Sequence, residues 1–170
     1  MVCRLTIGKK KYVEVQAEME SVLQEAEDLR LHAGRLIDTD TEAFQKVMDA
    51  FALPKESEEE RAARLTAIES ATQKATLVPL QVMRLVQEAS LLSATVAEKG
   101  NRNSLSDAGV AALMLLSACR GAQLNVEINL SGLQDRQFIQ TVTEESIQIA
   151  SQVEERLNST LQAVNRLMKG

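Results

Sequence analysis

Apolar side chains recur every three or four residues along most of the chain, the spacing of helices that bury one face. Val15, Met19, Val22, Ala26, Leu29, Ala33 and Leu36 set the pattern, and Phe44, Val47, Met48 and Phe51 resume it. Between them Asp38, Thr39, Asp40 and Thr41 either continue the helix or start a new one, because Asp and Thr are good N-caps and Thr39 stands at capping-box spacing from Glu42. Ahead of this, Met1 to Ile7 reads as the last turns of a helix closed by Gly8. Pro54 ends the long amphipathic stretch, and Ser57 before Glu58, Glu59 and Glu60 opens the next helix, with the acidic first turn that the helix dipole favours. That helix contains Pro79, which should kink it, and closes at Gly100.

The stretch 100–135 differs from the rest. Asn101, Asn103, Ser104, Ser106 and Asp107 precede an apolar run over 108–119 broken only by Ser117, so a central helix led by a Ser104–Asp107 capping box is expected over 108–120. After Arg120 and Gly121, residues 124–130 show some strand-like alternation, but their neighbours favour a short helix. A last helix over 135–169 carries Phe138, Val142, Ile149, Val153, Leu157 and Leu161 on one face. The expected fold is therefore all-α, one domain over 1–170, a bundle of about five long helices. Apolar stripes this long, with so few aromatic residues, suit pairing with a second copy, and a dimer is expected.

Composition narrows the chemistry. Two Pro and seven Gly in 170 residues agree with helix nearly throughout. A net charge of −5 offers no broad basic surface for a nucleic-acid backbone, and Tyr12, Phe44, Phe51 and Phe138 are too scattered for base stacking. Cys3 and Cys119 stand alone, and His32 is the only histidine, so neither a disulfide framework nor a metal site is signalled. The central apolar run falls short of the roughly 20 residues that span a bilayer, and no signal peptide is recognisable, so a soluble, cytoplasmic protein is expected.

Three polar clusters interrupt the apolar pattern. Asp38 and Asp40, two apart, point to different helix faces; one held inward against Leu36 and Phe44 would be partly desolvated and suited to proton transfer, while solvated capping is the plainer reading. In the second cluster capping accounts for Ser104, Ser106 and Asp107 but leaves Asn101 and Asn103 unexplained. Asn125 and Asn129, four apart, share a face; they either present donors and acceptors to a heterocycle or bridge two helices. Lys9, Lys10 and Lys11 form either a solvated corner or a dock for an anion. A non-catalytic helical ligand-binding or assembly module would satisfy the same pattern.

The segments MVCRLTIGKKKY, LIDTDTEAF, LPKESEEERAAR, ATLVPLQV, GNRNSLSDAGVAA and GAQLNVEINL, in this order and spacing, cover residues 1 to about 138. Together they resemble the cyclodeaminase/cyclohydrolase family of folate enzymes. The resemblance implies an all-helical homodimer that handles one-carbon units on tetrahydrofolate without a metal or a further cofactor. Two reactions are implied: hydrolysis of 5,10-methenyltetrahydrofolate to 10-formyltetrahydrofolate and, as the alternative, cyclisation of 5-formimidoyltetrahydrofolate with loss of ammonia. On the same resemblance Asp40 is the general acid/base, Asn101, Ser106, Asp107, Asn125 and Asn129 are pocket residues for the pterin, and Lys9, Lys10 and Lys11 receive the glutamate tail of a polyglutamylated folate. If so, the asparagines at the two ends of the central run converge on one ring. Family members also carry a glycine-rich stretch of the P-G-G-G-S kind and most of a first helix ahead of the segment matching Met1. Neither is in this sequence, so the expectation is either that the chain is truncated at its start or that the site lacks one wall.

Overall fold

The computed structural model describes residues 1–169 and is helical throughout, with α1 Val2–Thr6, α2 Gln16–Phe51, α3 Glu58–Lys99, α4 Leu105–Leu130 and α5 Arg136–Lys169. Short 3-10 turns at Lys10–Val15 and Arg102–Ser104 lead into α2 and α4. Helix α3 is the spine, since α2, α4 and α5 all pack against it and α4 also packs on α5. The main core joins Leu80, Met83 and Val86 of α3 to Cys119, Val126, Val153 and Leu157 of α4 and α5.

Helix boundaries follow the local chemistry in most places. Gly8, with φ +76, takes the left-handed turn that ends α1. Ser57 Oγ accepts from Glu60 N, and the Glu60 carboxylate accepts from Ser57 N in return, a complete capping box at the start of α3. Pro79 deprives the Ala75 carbonyl of its backbone donor but does not end the helix.

One open alternative is decided and two expectations need correction. Residues 38–41 start nothing, because α2 runs straight through them. Thr39 and Thr41 donate back to the carbonyls of Arg35 and Ile37, and the helix is carried across by Leu36 and Ala43 packing on Val78 and Leu85. Ser104 makes no side-chain capping bond at α4 and is buried; the lead-in is capped by Asn101, whose side chain accepts from Asn103 N. Residues 124–130 are not a separate element, since α4 continues past Gly121 with Ala122, Val126 and Leu130 in the core. The helical stretch Arg102–Leu130 is thus long and apolar enough to cross a membrane by length and composition, contrary to the shorter run read from sequence, and 33% of its most apolar window is buried in the bundle.

Candidate active site

The candidate residues divide between two ends of a groove. Helices α2 and α4 stand apart over α3 and leave a cavity of about 540 Å3, walled by Val22, Ala26 and Ala33 of α2 and Ala108, Ala111 and Ala118 of α4, with Val82, Leu85 and Ala89 as part of its floor. Its lining is apolar except for Arg30, Ser93 and Asp107. The Ser93 hydroxyl is the one buried side-chain polar atom without a partner among the described residues.

At the near end Asp107 lines the groove with Met1; Lys9, Lys10 and Lys11 follow α1, Asn101 belongs to the α3–α4 connection and Ser106 to the first turn of α4. The three lysines are exposed, and the Lys11 ammonium sits 5.7 Å from the centre of the Tyr12 ring. Asn101 is already engaged. Its Nδ2 donates to the Leu5 carbonyl at 2.8 Å, its Oδ1 accepts from Asn103 N at 3.0 Å, and its backbone N–H donates to Thr6 Oγ1 at 2.9 Å. Tyr12 adds a phenol that accepts from Arg102 N at 3.0 Å and reaches Asn101 Oδ1 at 3.5 Å. Asn101 therefore clasps the amino-terminal segment to the α3–α4 connection. Asn101→Ala should cost about 1–3 kcal/mol by leaving the Leu5 carbonyl and Asn103 N–H without these partners. Hydrogen exchange should then speed up selectively over residues 1–12.

At the far end lie Asp40, Asn125 and Asn129. Asp40 is exposed and accepts no hydrogen bond among the described residues, so the inward, desolvated setting expected of it does not form within one chain. The reason is periodicity: Leu36 and Ala43 face α3, which turns Asp40 toward the side that carries Val22, Ala26 and Ala33, about two turns beyond the groove. Asn125 and Asn129 stand in the corresponding place on α4, on the stripe of Asp107, Ala111 and Ala118. Asn125 is exposed and Asn129 half-buried, and neither side-chain amide bridges to another helix among the described residues.

Because α4 is unbroken, Asp107 and Asn125 are about 27 Å apart along it at about 1.5 Å per residue. The expectation that asparagines from both ends of the central run meet on one ring therefore fails within a single chain. A rigid helix separates them.

Other titratable groups offer little competition. Burial pushes the thiols of both Cys3 and Cys119 up, away from the reactive thiolate. Glu27 accepts from Arg30 and Arg4, which hold its carboxyl below the usual range. Among the described residues no cluster of three or more His, Cys, Asp or Glu side chains is placed to hold a metal ion. The groove itself, with Arg30 and Ser93, was missed from sequence. The alternation of Ala and larger residues on α2 showed its wall, but nothing in the chain told that α2 and α4 stand apart.

A family model described as formiminotransferase-cyclodeaminase matches residues 1–148. The chain belongs to this family. Among its relatives is a methenyltetrahydrofolate cyclohydrolase of Methylorubrum extorquens, 51% identical over 138 residues, which are 81% of this chain and 66% of that protein. The mouse formimidoyltransferase-cyclodeaminase is 31% identical over 81% of this chain but only 26% of its own length. The chain thus spans just under two thirds of one curated relative and about a quarter of the other. The fold is shared with the crystal structure of formiminotetrahydrofolate cyclodeaminase from Thermotoga maritima, at TM-score 0.81 and 32% identity, over all of this chain and 79% of that one. Within the family, then, this chain supplies the helical cyclodeaminase-type domain.

Proposed function

We propose that this family member is a folate one-carbon enzyme that hydrolyses 5,10-methenyltetrahydrofolate to 10-formyltetrahydrofolate. The observation that carries the reading is the 51% identity to a cyclohydrolase over 138 residues of this chain. The exposed, unpaired carboxylate of Asp40, on the same side of the bundle as the free amides of Asn125 and Asn129, supports it in chemical terms.

The methenyl carbon bridges N5 and N10 of the substrate and carries a delocalised positive charge. Water adds to that carbon, and Asp40 takes one proton from the water, giving a neutral tetrahedral carbinol. Asp40 returns the proton to N5 as the C–N5 bond breaks, leaving the formyl group on N10. The second water proton leaves with the product hydroxyl collapse to a carbonyl, so one proton is released per turnover. Asn125 and Asn129 have donors and acceptors suited to the lactam and amine of the pterin, and the Lys9, Lys10 and Lys11 corner suits the carboxylates of a polyglutamate tail. No cofactor other than the folate itself enters this scheme. We place the enzyme in the cytoplasm as a homodimer, with neither nucleic acid nor membrane as partner.

The alternative is cyclodeamination of the 5-formimidoyl compound, favoured by the structural likeness to the Thermotoga maritima enzyme. There N10 attacks the formimidoyl carbon, and the protonated amine leaves as ammonia from a similar tetrahedral centre. Two assays on the purified protein separate these readings. Loss of methenyl absorbance above the buffer rate supports hydrolysis, ammonia release from the formimidoyl substrate supports cyclodeamination, and a buffer-level rate in both overturns the enzyme reading.

A further inference from the structure

The three lysines that follow α1 are held together by the fold. Lys9, Lys10 and Lys11 are all exposed, and none forms an ion pair among the described residues. Neighbouring like charges repel, so an unbraced loop would spread them apart. One side chain braces this loop at both ends. The Gln16 amide accepts from Gly8 N at 2.6 Å and donates to the Tyr12 carbonyl at 2.7 Å, which closes residues 8–12 into a ring. It also reaches the Thr6 carbonyl at 3.4 Å. Gly8, with φ +76, supplies the turn from which the loop starts.

Tyr12 fastens the loop to the rest of the bundle. The Lys11 ammonium lies 5.7 Å from the centre of its ring, and its hydroxyl accepts from Arg102 N at 3.0 Å. A single tyrosine thus stands between Lys11 and the backbone of Arg102. Arg102 is a fourth exposed cation without an ion pair among the described residues. The neighbouring cations are treated differently: Arg4 is engaged by Glu27, and Lys99 by Glu18. Glu14, the nearest acid in sequence, is exposed and pairs with none of the four. Hydrogen bonds from uncharged groups therefore hold together a corner whose charge the chain leaves unneutralised.

We propose that Arg102 joins Lys9, Lys10 and Lys11 in one preorganised dock for a ligand that carries several carboxylates in a row, and that Gln16 and Tyr12 are its positioning residues. This rests on the functional reading above, under which that ligand is the glutamate tail, and adds the residues that set tail-length specificity. The class of ligand follows from the kind of cation. Lysine ammoniums are compact point charges, and three on successive residues of an exposed turn present separate charges along a path. That suits a chain of singly charged groups better than one doubly charged group, for which a guanidinium fork is the better match. A nucleic acid fits poorly, because the chain carries a net charge of −5 and the one ring in the corner is already faced by Lys11. Bracing the loop in advance means that the ligand need not order it on binding, which strengthens a contact otherwise weakened by exposure. Asp40 stands at the far end of the groove, so the dock acts on binding and leaves the chemical step alone.

Steady-state kinetics on monoglutamyl and pentaglutamyl methenyltetrahydrofolate reads the dock. Arg102→Gln removes the charge and keeps a polar side chain. It should raise KM for the pentaglutamyl substrate about three- to fivefold, with KM for the monoglutamyl substrate and kcat for both as in the wild type. Tyr12→Phe keeps the ring beside Lys11 but deletes the hydroxyl that accepts from Arg102 N, and should give a change of the same kind of about twofold. A fall in kcat, or an equal rise in KM for both substrates, shows a merely structural role and overturns the proposal. So does an active wild type that treats the two tail lengths alike. Calorimetry with free penta-γ-glutamate separates the dock from the functional reading. The wild type should bind this peptide, more weakly as ionic strength rises, and Arg102→Gln should bind it more weakly than the wild type at every salt concentration. Absence of binding to the wild type overturns the dock even in an active enzyme. Arg102-dependent binding by a protein without folate activity supports the dock and sinks only the functional reading.

Discussion

Asp40→Asn should lower the rate of methenyltetrahydrofolate hydrolysis by about 100-fold or more while leaving the fold and its thermal stability close to wild type. The two halves of this expectation have separate causes. Asp40 is exposed and makes no hydrogen bond or ion pair among the described residues, so the carboxylate holds nothing together, and an isosteric amide in mid-helix costs little. The amide, however, can neither accept the proton from attacking water nor deliver it to N5. Steady-state absorbance kinetics beside a melting curve separates the two effects. A variant that hydrolyses at the wild-type rate removes Asp40 from the mechanism, and one that melts much earlier shows that the carboxylate is structural. Asp38→Asn is the natural control, since its side chain points to another helix face.

Gly100→Ala should destabilise the protein by about 2 kcal/mol, a fall of roughly 6 °C in Tm for a chain of this size. The cause is close approach rather than backbone conformation, because Gly100 has φ −73, which any residue adopts. A Cβ there would sit 2.4 Å from the Val96 carbonyl oxygen and 2.6 Å from Val2 Cγ1. Val2 can give way, but the carbonyl belongs to the last turn of α3 and accepts from Gly100 N at 3.0 Å. Relief must come from moving α1 and the connection into α4, and with them Asn101 and its bond to Leu5. Gly34→Ala, where a new Cβ meets nothing within 4 Å in mid-helix, should instead stabilise by roughly 0.5–1 kcal/mol. Differential scanning calorimetry reads both. A Gly100→Ala melt equal to wild type would show that this junction is loosely packed.

Helix type and most boundaries were legible because their causes are local. Gly8 ends α1, Pro54 separates α2 from α3, Ser57 with Glu60 opens α3, and Gly100 closes it. Where local signals conflicted with packing, packing won. Asp38 to Thr41 and Gly121 look like interruptions, yet Leu36, Ala43, Ala122 and Val126 bury enough surface on α3 and its neighbours to carry the helices through. The Ser104–Asp107 spacing suggested a cap, but Ser104 was drawn into the interior and Asn101 took over that task.

The candidate residues themselves came from the motifs, and what the motifs could not supply was distance. Sequence alone determined the all-helical class, the apolar faces, the solitary cysteines and the family resemblance, since each depends on residue type and short-range spacing. Only the tertiary structure decided that α2 and α4 stand apart over α3 and that Asn101 is engaged as a clasp. It alone showed that Asp107 and Asn125 lie at opposite ends of one rigid helix. Periodicity fixes the direction in which a side chain leaves its helix, but not what stands across from it; that is set by which faces find partners within the chain.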